Sequence, residues 1–346
     1  MSSDLDLEQR YRRVLRRLPG YYRAVWEEDM VAAFLDGWMT GDPDEDSVTM
    51  EFGRPGWREV VSVTALAGRL YLGGSAAARR YFAWGQAVRQ AVLALVLLHA
   101  QVSLNALVLL TWSRRLFGLP ALPAGLVAGT PDGIWPGVWY AADYAWIVVF
   151  VALVLRHHRI ARIIAVPAIT PDLIWLLQGQ FTDRFPVQAF GQWAFWVLLN
   201  VVPVLAMTAF HRDAPRVARR PWLLALPAGY LLVGVPQIVL LATANQAWLP
   251  DPPGLSCLLV ALACLAHAPR ALSRRRAGSG VWSLTLTLLA AVTGAYRIAS
   301  ISDYSQEQHM IMVCLAELLI LAAAVALVIP DAVRTQAAAP ARPLTG

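Results

Sequence analysis

The chain has 346 residues, of which 58% are hydrophobic and only 15% charged, with 14 tryptophans and a mean hydropathy of +0.50. That is too apolar for one soluble domain and too long for a single anchor, so a polytopic membrane protein is expected. The formal charge of +6 does not point to nucleic acid: residues 1 to 80 hold 11 Arg against 13 acids and residues 81 to 346 hold 18 Arg against 10, so the excess belongs to membrane loops, where it orients the spans and meets anionic lipid.

The first 80 residues are polar and amphipathic, without the apolar core of a cleavable signal peptide, and the N-terminus is expected to stay in the cytoplasm. From Ser3 to Leu18 the positions Leu7, Tyr11, Val14, Leu15 and Leu18 share one helical face, Arg10, Arg12, Arg13, Arg16 and Arg17 occupy the other, and Pro19 with Gly20 ends the run. A second helix is expected from Tyr21 to about Asp36, with Tyr22, Val25, Trp26, Met30, Ala33 and Phe34 in a stripe and Gly37 as its stop. A third is expected from Pro55 to Leu72, with proline at the first helical position, Glu59 in the first turn and Gly73 and Gly74 at the end. Between the last two lies an acidic, turn-rich link, residues 41 to 47. Its alternating Asp42, Asp44 and Asp46 depart from a calcium loop, because Ser47 stands at the glycine position and Gly53 at the terminal acidic one, so no metal is expected there.

The run Leu15 to Pro19 with Tyr22 and Arg23, then Glu27 to Met30, Leu35 and Asp36, then Pro55 to Glu59, resembles the short helical domain called HAAS. That domain is found at the N-termini of bacterial membrane proteins and is often encoded beside PadR-type transcriptional regulators. The similarity covers about residues 7 to 72, and the remainder resembles uncharacterised multi-spanning bacterial proteins. It implies a cytoplasmic signalling or partner-docking role and brings no catalytic motif.

Residues 75 to 330 read as a membrane domain of about eight transmembrane helices, all α, followed by a disordered cytoplasmic tail at 331 to 346. Ser75 is the expected N-cap of a long helix that enters the bilayer near Gln90 and leaves near Trp112. The second crossing, within residues 134 to 156, opens on Trp and Tyr, carries Asp143 and stops at Arg156, Arg159 and Arg162. The third, Ile163 to about Leu177, is interrupted by Pro167 and by Pro171, which Asp172 directly follows; the prolines are read as kinks rather than as a break. The fourth is Ala189 to Phe210, the fifth Trp222 to about Ala242, the sixth Leu255 to Ala268, the seventh Val281 to about Ile298 and the eighth Met310 to Ile329. Loops after the second, fourth and sixth crossings hold eleven arginines, against four (Arg114, Arg115, Arg184 and Arg297) in the opposite loops, which places both termini in the cytoplasm and the chain in the cell membrane as a multi-pass protein. The spacings of Trp139 to Trp193 and of His158, His211 and His267 are compatible with repeated helical hairpins, but any short-looped pair of crossings takes about 50 residues.

Ionisable groups inside spans are costly and therefore candidates for function. Asp143, Asp172 and Glu317 fall near the middle or outer half of the bilayer, Arg297 can pair with Glu317, and His99, Gln101 and Asn105 add polar points in the first span. These residues either line a polar cavity or proton relay, or bond across helix interfaces and hold the packing. Cys257, Cys264 and Cys314 lie in apolar segments and are expected as buried thiols. No phosphate loop, zinc helix or nucleophile elbow is present, and neither an enzyme nor a cofactor is expected. The expected partners are the bilayer and a cytoplasmic regulatory protein or a second copy, met through Tyr22, Trp26, Met30 and Trp57, with no direct nucleic-acid binding. The expected role is a membrane sensor or regulator; the alternative is a small-solute or proton-coupled permease using the intramembrane acids.

Overall fold

A computed structural model describes residues 7–39, 42–74, 77–113, 136–181, 200–211, 214–215, 217–242, 251–273, 279–301 and 308–337. Among them every regular element is helical and there is no strand. Two compact units form, one built mainly from the chain up to Gln86 and the other from Ala87 onward.

In the first unit, α1 (Leu7–Leu15) puts Leu7, Tyr11 and Leu15 on one stripe, as the spacing predicts. They pack with Leu18, with Val31 and Phe34 of α2 (Gly20–Asp36), and with Val63, Ala67 and Leu70 of α4 (Trp57–Tyr71). Tyr11 lies flat on Phe34, with ring centroids 3.9 Å apart. The acidic link is not a turn throughout: α3 (Pro43–Phe52) forms in it, making four helices where three were expected. The reason is local. Asp42 accepts the Asp44 amide on its Oδ1 at 3.0 Å, Pro43 takes the first helical position, and Asp44 and Glu45 place negative charge at the positive end of the helix dipole.

The end of α4 follows the expectation for paired glycines. Gly73 has φ +80°, and Gly74 donates to the Arg69 carbonyl at 2.8 Å, the arrangement by which a helix satisfies its last carbonyls. A Cβ on Gly73 would lie 3.0 Å from the Phe82 Cα, and one on Gly85 would collide with the Leu72 carbonyl. Tyr81 sits against Tyr21 and Tyr71, with ring centroids 5.5 and 5.4 Å away. The first unit therefore extends past residue 74 into the first turns of α5 (Arg79–Ser113). Ser75, the expected cap of that helix, lies outside the described residues.

Among the described residues, four helices are long and apolar enough to cross a membrane: α5, α11 (Pro252–Leu272), α12 (Ser279–Ser300) and α13 (Gln308–Ala326). At 35 residues, α5 is about 52 Å long, more than the roughly 30 Å of a hydrocarbon core. The remaining elements are α6 (Pro136–Val154), α7 (His158–Phe181), a short α8 (Asn200–Ala209), and a run comprising α9 (Arg219–Gly229), a π-helical turn (Tyr230–Gly234) and α10 (Val235–Ala242). One core joins α5 to α8 through Val92, Leu93, Val96, Trp146, Phe150, Ala165 and Met207; another joins α11, α12 and α13 through Cys257, Ala261, Cys264, Ala290, Leu321 and Ala324. The small residues of the second core let three backbones approach closely.

Three local details differ from the sequence reading or refine it. Helix α7 runs through Pro167 and Pro171 without a break. The tail expected to be disordered from 331 begins as α14 (Ile329–Ala337), tied down where Ser283 Oγ donates to Asp331 Oδ2 at 2.8 Å. Arg156, expected only as a charge at an inner helix end, is also the turn residue. It has φ +73°, and His157 donates to the Ala152 carbonyl at 2.8 Å, so an arginine closes α6 in the conformation that favours glycine.

Candidate functional site

The concentration of buried charge lies where α11, α12 and α13 meet. Asp251 precedes two prolines and caps α11: its Oδ1 accepts the Gly254 amide at 3.1 Å, satisfying one of the free donors of the helix start. Its Oδ2 lies 2.5 Å from Arg297 Nη1. Arg297, in the last turn of α12, reaches Glu317 Oε2 of α13 with Nη2, also at 2.5 Å. The Arg297 side chain is fully buried and that of Glu317 is 7% exposed, while Asp251 keeps 15%. Ser300 completes the surround, donating to the Arg297 carbonyl at 2.8 Å.

Gly254 makes this convergence possible. A Cβ there would stand 2.5 Å from Glu317 Oε1 and 2.7 Å from Asp251 Oδ1, so both carboxyl groups use the space that its missing side chain leaves. The pairing of Arg297 with Glu317 follows the sequence reading. Asp251 is not among the expected site residues; it lies between the expected fifth and sixth crossings. Its signal is the Asp-Pro-Pro-Gly start of the α11 segment, an N-cap followed by prolines.

The other expected members are elsewhere or beyond description. His99 of α5 stacks on Trp146 of α6, with centroids 4.5 Å apart and planes 19° from parallel, inside the α5 to α8 core. Gln101 serves the backbone: its Nε2 donates to the Leu226 carbonyl at 2.7 Å, in the space left by Gly229, just before the π-helical turn. The side chains of Asp143 and Asp172 lie outside the described residues, as do Arg114, Arg115 and Arg184.

Arg162, expected only as an inner-end charge, and Arg89 both prove to be structural. Arg89, 1% exposed, donates to the Ala209 carbonyl at 3.3 Å, and Arg162 Nη2 donates to the Met207 and Phe210 carbonyls at 2.8 Å each. Together they bring positive charge to the carbonyl end of α8. A second polar chain joins His267 Nε2, Ser283 Oγ at 3.2 Å and Asp331. Serine is the middle member and gives its proton to the carboxylate, so this is a bridge between α11, α12 and α14 and not a nucleophilic triad, in which histidine stands between the other two.

In the first unit, Tyr22 and Met30 are half-buried and pack against the core. Trp26 and Trp57 are 42% and 72% exposed, and Val25, Val48, Phe52 and Val61 stand out beside them in sequence. The basic back of α1 is partly consumed within the unit. Arg12 donates to Glu8 at 2.7 Å and to both oxygens of Glu28 at 2.7 and 2.8 Å, and Arg17 donates to Thr64 at 2.6 Å. The hydrogen bonds from Arg12 hold the Glu28 carboxyl below its ordinary value. Tyr11 and Tyr21 are pushed up, chiefly by burial.

Comparison with protein-family models, curated proteins and solved structures finds no match to this chain.

Proposed function

We propose that the chain is an eight-span protein of the cytoplasmic membrane whose N-terminal helical unit docks a cytoplasmic regulatory protein, making it a membrane sensor or regulator. The observation that carries this reading is a unit with a closed core of its own that still leaves Trp57 and Phe52 about 70% exposed. Glu51, Arg54, Arg58 and Glu59 stand exposed around those two residues in sequence, two of each sign. A mixed rim of that kind suits a protein surface; an anionic bilayer would repel its carboxylates. The HAAS-like pattern of residues 7 to 72 is consistent with the same role.

In this reading α5, α11, α12 and α13 are four of the spans, and the apolar segments holding α6, α7, α8 and the α9 to α10 run are the other four. The arginine asymmetry puts both termini inside. Cysteines introduced at Ala218 and Pro252 test the arrangement: Pro252 should label from outside intact cells and Ala218 should not, and external labelling of Ala218 would sink it. Docking is tested by cross-linking and affinity purification of the full chain, Trp57→Ala with Phe52→Ala, and a chain lacking residues 1–74. Loss of the same partner from both altered chains is expected. Unchanged partners, a second copy alone, or retention on lipid alone would remove the docking role.

The second reading is a proton-coupled or small-solute permease, and the observation favouring it is the Asp251–Arg297–Glu317 cluster. Flux that survives deletion of residues 1–74 and fails on Glu317→Gln would put it first.

A further inference from the structure

We infer that the turn between α6 and α7 is a binding site for an anionic phospholipid, with Arg156, His157 and Arg159 receiving the headgroup and the exposed stripe of α7 receiving the acyl chain. The inference needs α7 to lie in the bilayer, as in the eight-span reading, and nothing of the docking role.

The three arginines of this turn are used differently. Arg162 is spent inside the protein, where its Nη2 donates to the Met207 and Phe210 carbonyls at 2.8 Å each. Among the described residues, the side chains of Arg156, His157 and Arg159 make no ion pair or hydrogen bond. His157 and Arg159 are exposed and Arg156 is half-buried. The sequence offers them no acid nearby, since none occurs between Asp143 and Asp172. Arg156 and Arg159 therefore present unneutralised charge within a single turn, and guanidinium groups hold phosphate oxygens through paired N–H donors.

The backbone makes the position of that charge definite. Arg156 has φ +73°, its amide donates to the Leu153 carbonyl at 3.1 Å, and that of His157 donates to the Ala152 carbonyl at 2.8 Å. A residue other than glycine held in this region is strained, and such residues cluster at ligand clamps and switches. Here the strained residue is a cation for which the described protein supplies no counter-charge.

The stripe beside the charges decides the occupant. Ile160, Ile163 and Val166 are exposed, three residues apart on α7, whereas Ala161, Ala165 and Ala168 are buried in the core shared with α5, α6 and α8. At 1.5 Å per residue, Ile163 and Val166 stand about 6 and 10 Å along the helix from Arg159, the depth of an upper acyl chain below its phosphate. A free phosphate would leave this stripe unused. The charges are of one sign, unlike the mixed rim around Trp57 and Phe52, and so suit an anionic headgroup better than a protein surface. A phospholipid joins the negative head and the apolar tail in one molecule.

Fluorescence quenching at α7 tests this in the full chain. Ile163→Cys is labelled with bimane, the native cysteines being buried. The protein is placed in phosphatidylcholine vesicles holding a rising fraction of brominated phosphatidylglycerol or of brominated phosphatidylcholine. Phosphatidylglycerol should quench beyond its mole fraction. Its preference over phosphatidylcholine should fall about fivefold for each arginine removed by Arg156→Gln and Arg159→Gln. It should persist in Arg270→Gln combined with Arg334→Gln, which removes equal charge from exposed positions elsewhere. Arg159→Gln alone, on a regular helical turn, carries the test if the strained position does not tolerate change. Equal quenching by the two lipids, or an equal loss from the Arg270 and Arg334 pair, would overturn the site while leaving α7 as a span. Displacement by inorganic phosphate, with ionic strength matched by chloride, would overturn it in favour of a free-anion site. No quenching by either lipid would take Ile163 out of the bilayer and remove α7 as a span together with the site.

Discussion

Arg12 and Arg297 each hold more than one carboxylate, and they show what surroundings do to the same chemistry. Arg12 lies on the first unit with 30% of its side chain exposed, bonded to Glu8 one turn away and to Glu28, itself 80% exposed. Water can replace every one of those bonds, so the cluster tidies a surface and contributes little to stability. Arg297 is sealed between three helices, and nothing described can take over from Asp251 and Glu317 if either is lost. Breaking such a cluster strands a charge in an apolar core, which is why burial, and not the number of ion pairs, separates the two regions.

Substitutions ordered by expected effect sharpen this contrast. Arg297→Leu strands two carboxylates and should cost about 3–5 kcal/mol, read as a large drop in the thermal midpoint of the full chain in detergent. Arg297→Leu combined with Glu317→Leu should recover part of that loss, and a double mutant no better than the single one would show that the pair is not coupled.

Gly254→Ala comes next. Its Cβ would press on both carboxyl groups and displace them from Arg297, at a cost of about 1–3 kcal/mol by the same assay. A neutral result would mean that the two acids do not share the space above α11.

Arg156→Gly should act in the opposite direction, because glycine accepts the left-handed turn that an arginine adopts at a penalty. A gain of about 1 kcal/mol is expected, with the topology unchanged in cysteine labelling.

The smallest effect is at Arg12. Arg12→Gln should lower the full chain's midpoint at neutral pH only slightly, whereas a drop like that of Arg297→Leu would erase the distinction between the regions. Its pH dependence has a definite sign. Arg12 lowers the Glu28 carboxyl, so the pair adds stability above the ordinary carboxylate range, about pH 4.3, and loses it as pH falls through the lowered folded value. Hydrogen exchange at the α1 and α2 amides of the full chain between pH 6 and 3, corrected for the intrinsic rate at each pH, should show wild type and Arg12→Gln converging at the acid end.

Much of the fold was legible before any coordinates. The stripe of Leu7, Tyr11 and Leu15, the stop at Gly73 and Gly74, and the apolar lengths of α5, α11, α12 and α13 follow from periodicity and run length, which are properties of one chain segment at a time. Helix α3 was also local, since Asp42 before Pro43 is a helix start, but the density of acids in that stretch reads first as a turn. The site was half legible. Arg297 with Glu317 could be matched as the charges near the ends of neighbouring spans, while Asp251 looked like any loop acid, and Tyr22, Trp26, Met30 and Trp57 read as one surface without their different degrees of burial.

What one-dimensional pattern determined, then, is the membrane class, the helices and the residues too polar to be there by accident. What tertiary structure alone decided is which of those residues meet. Arg12 and Arg297 look alike in sequence, each an arginine near the end of a helical run, and Met30 looks as available as Trp26. Their different roles come from the faces that packing closes. Burial is a sum over neighbours brought from distant parts of the chain: Asp251, Arg297 and Glu317 come from three helices, and they meet because Gly254 has no side chain and the small residues of α11, α12 and α13 allow their backbones to come together.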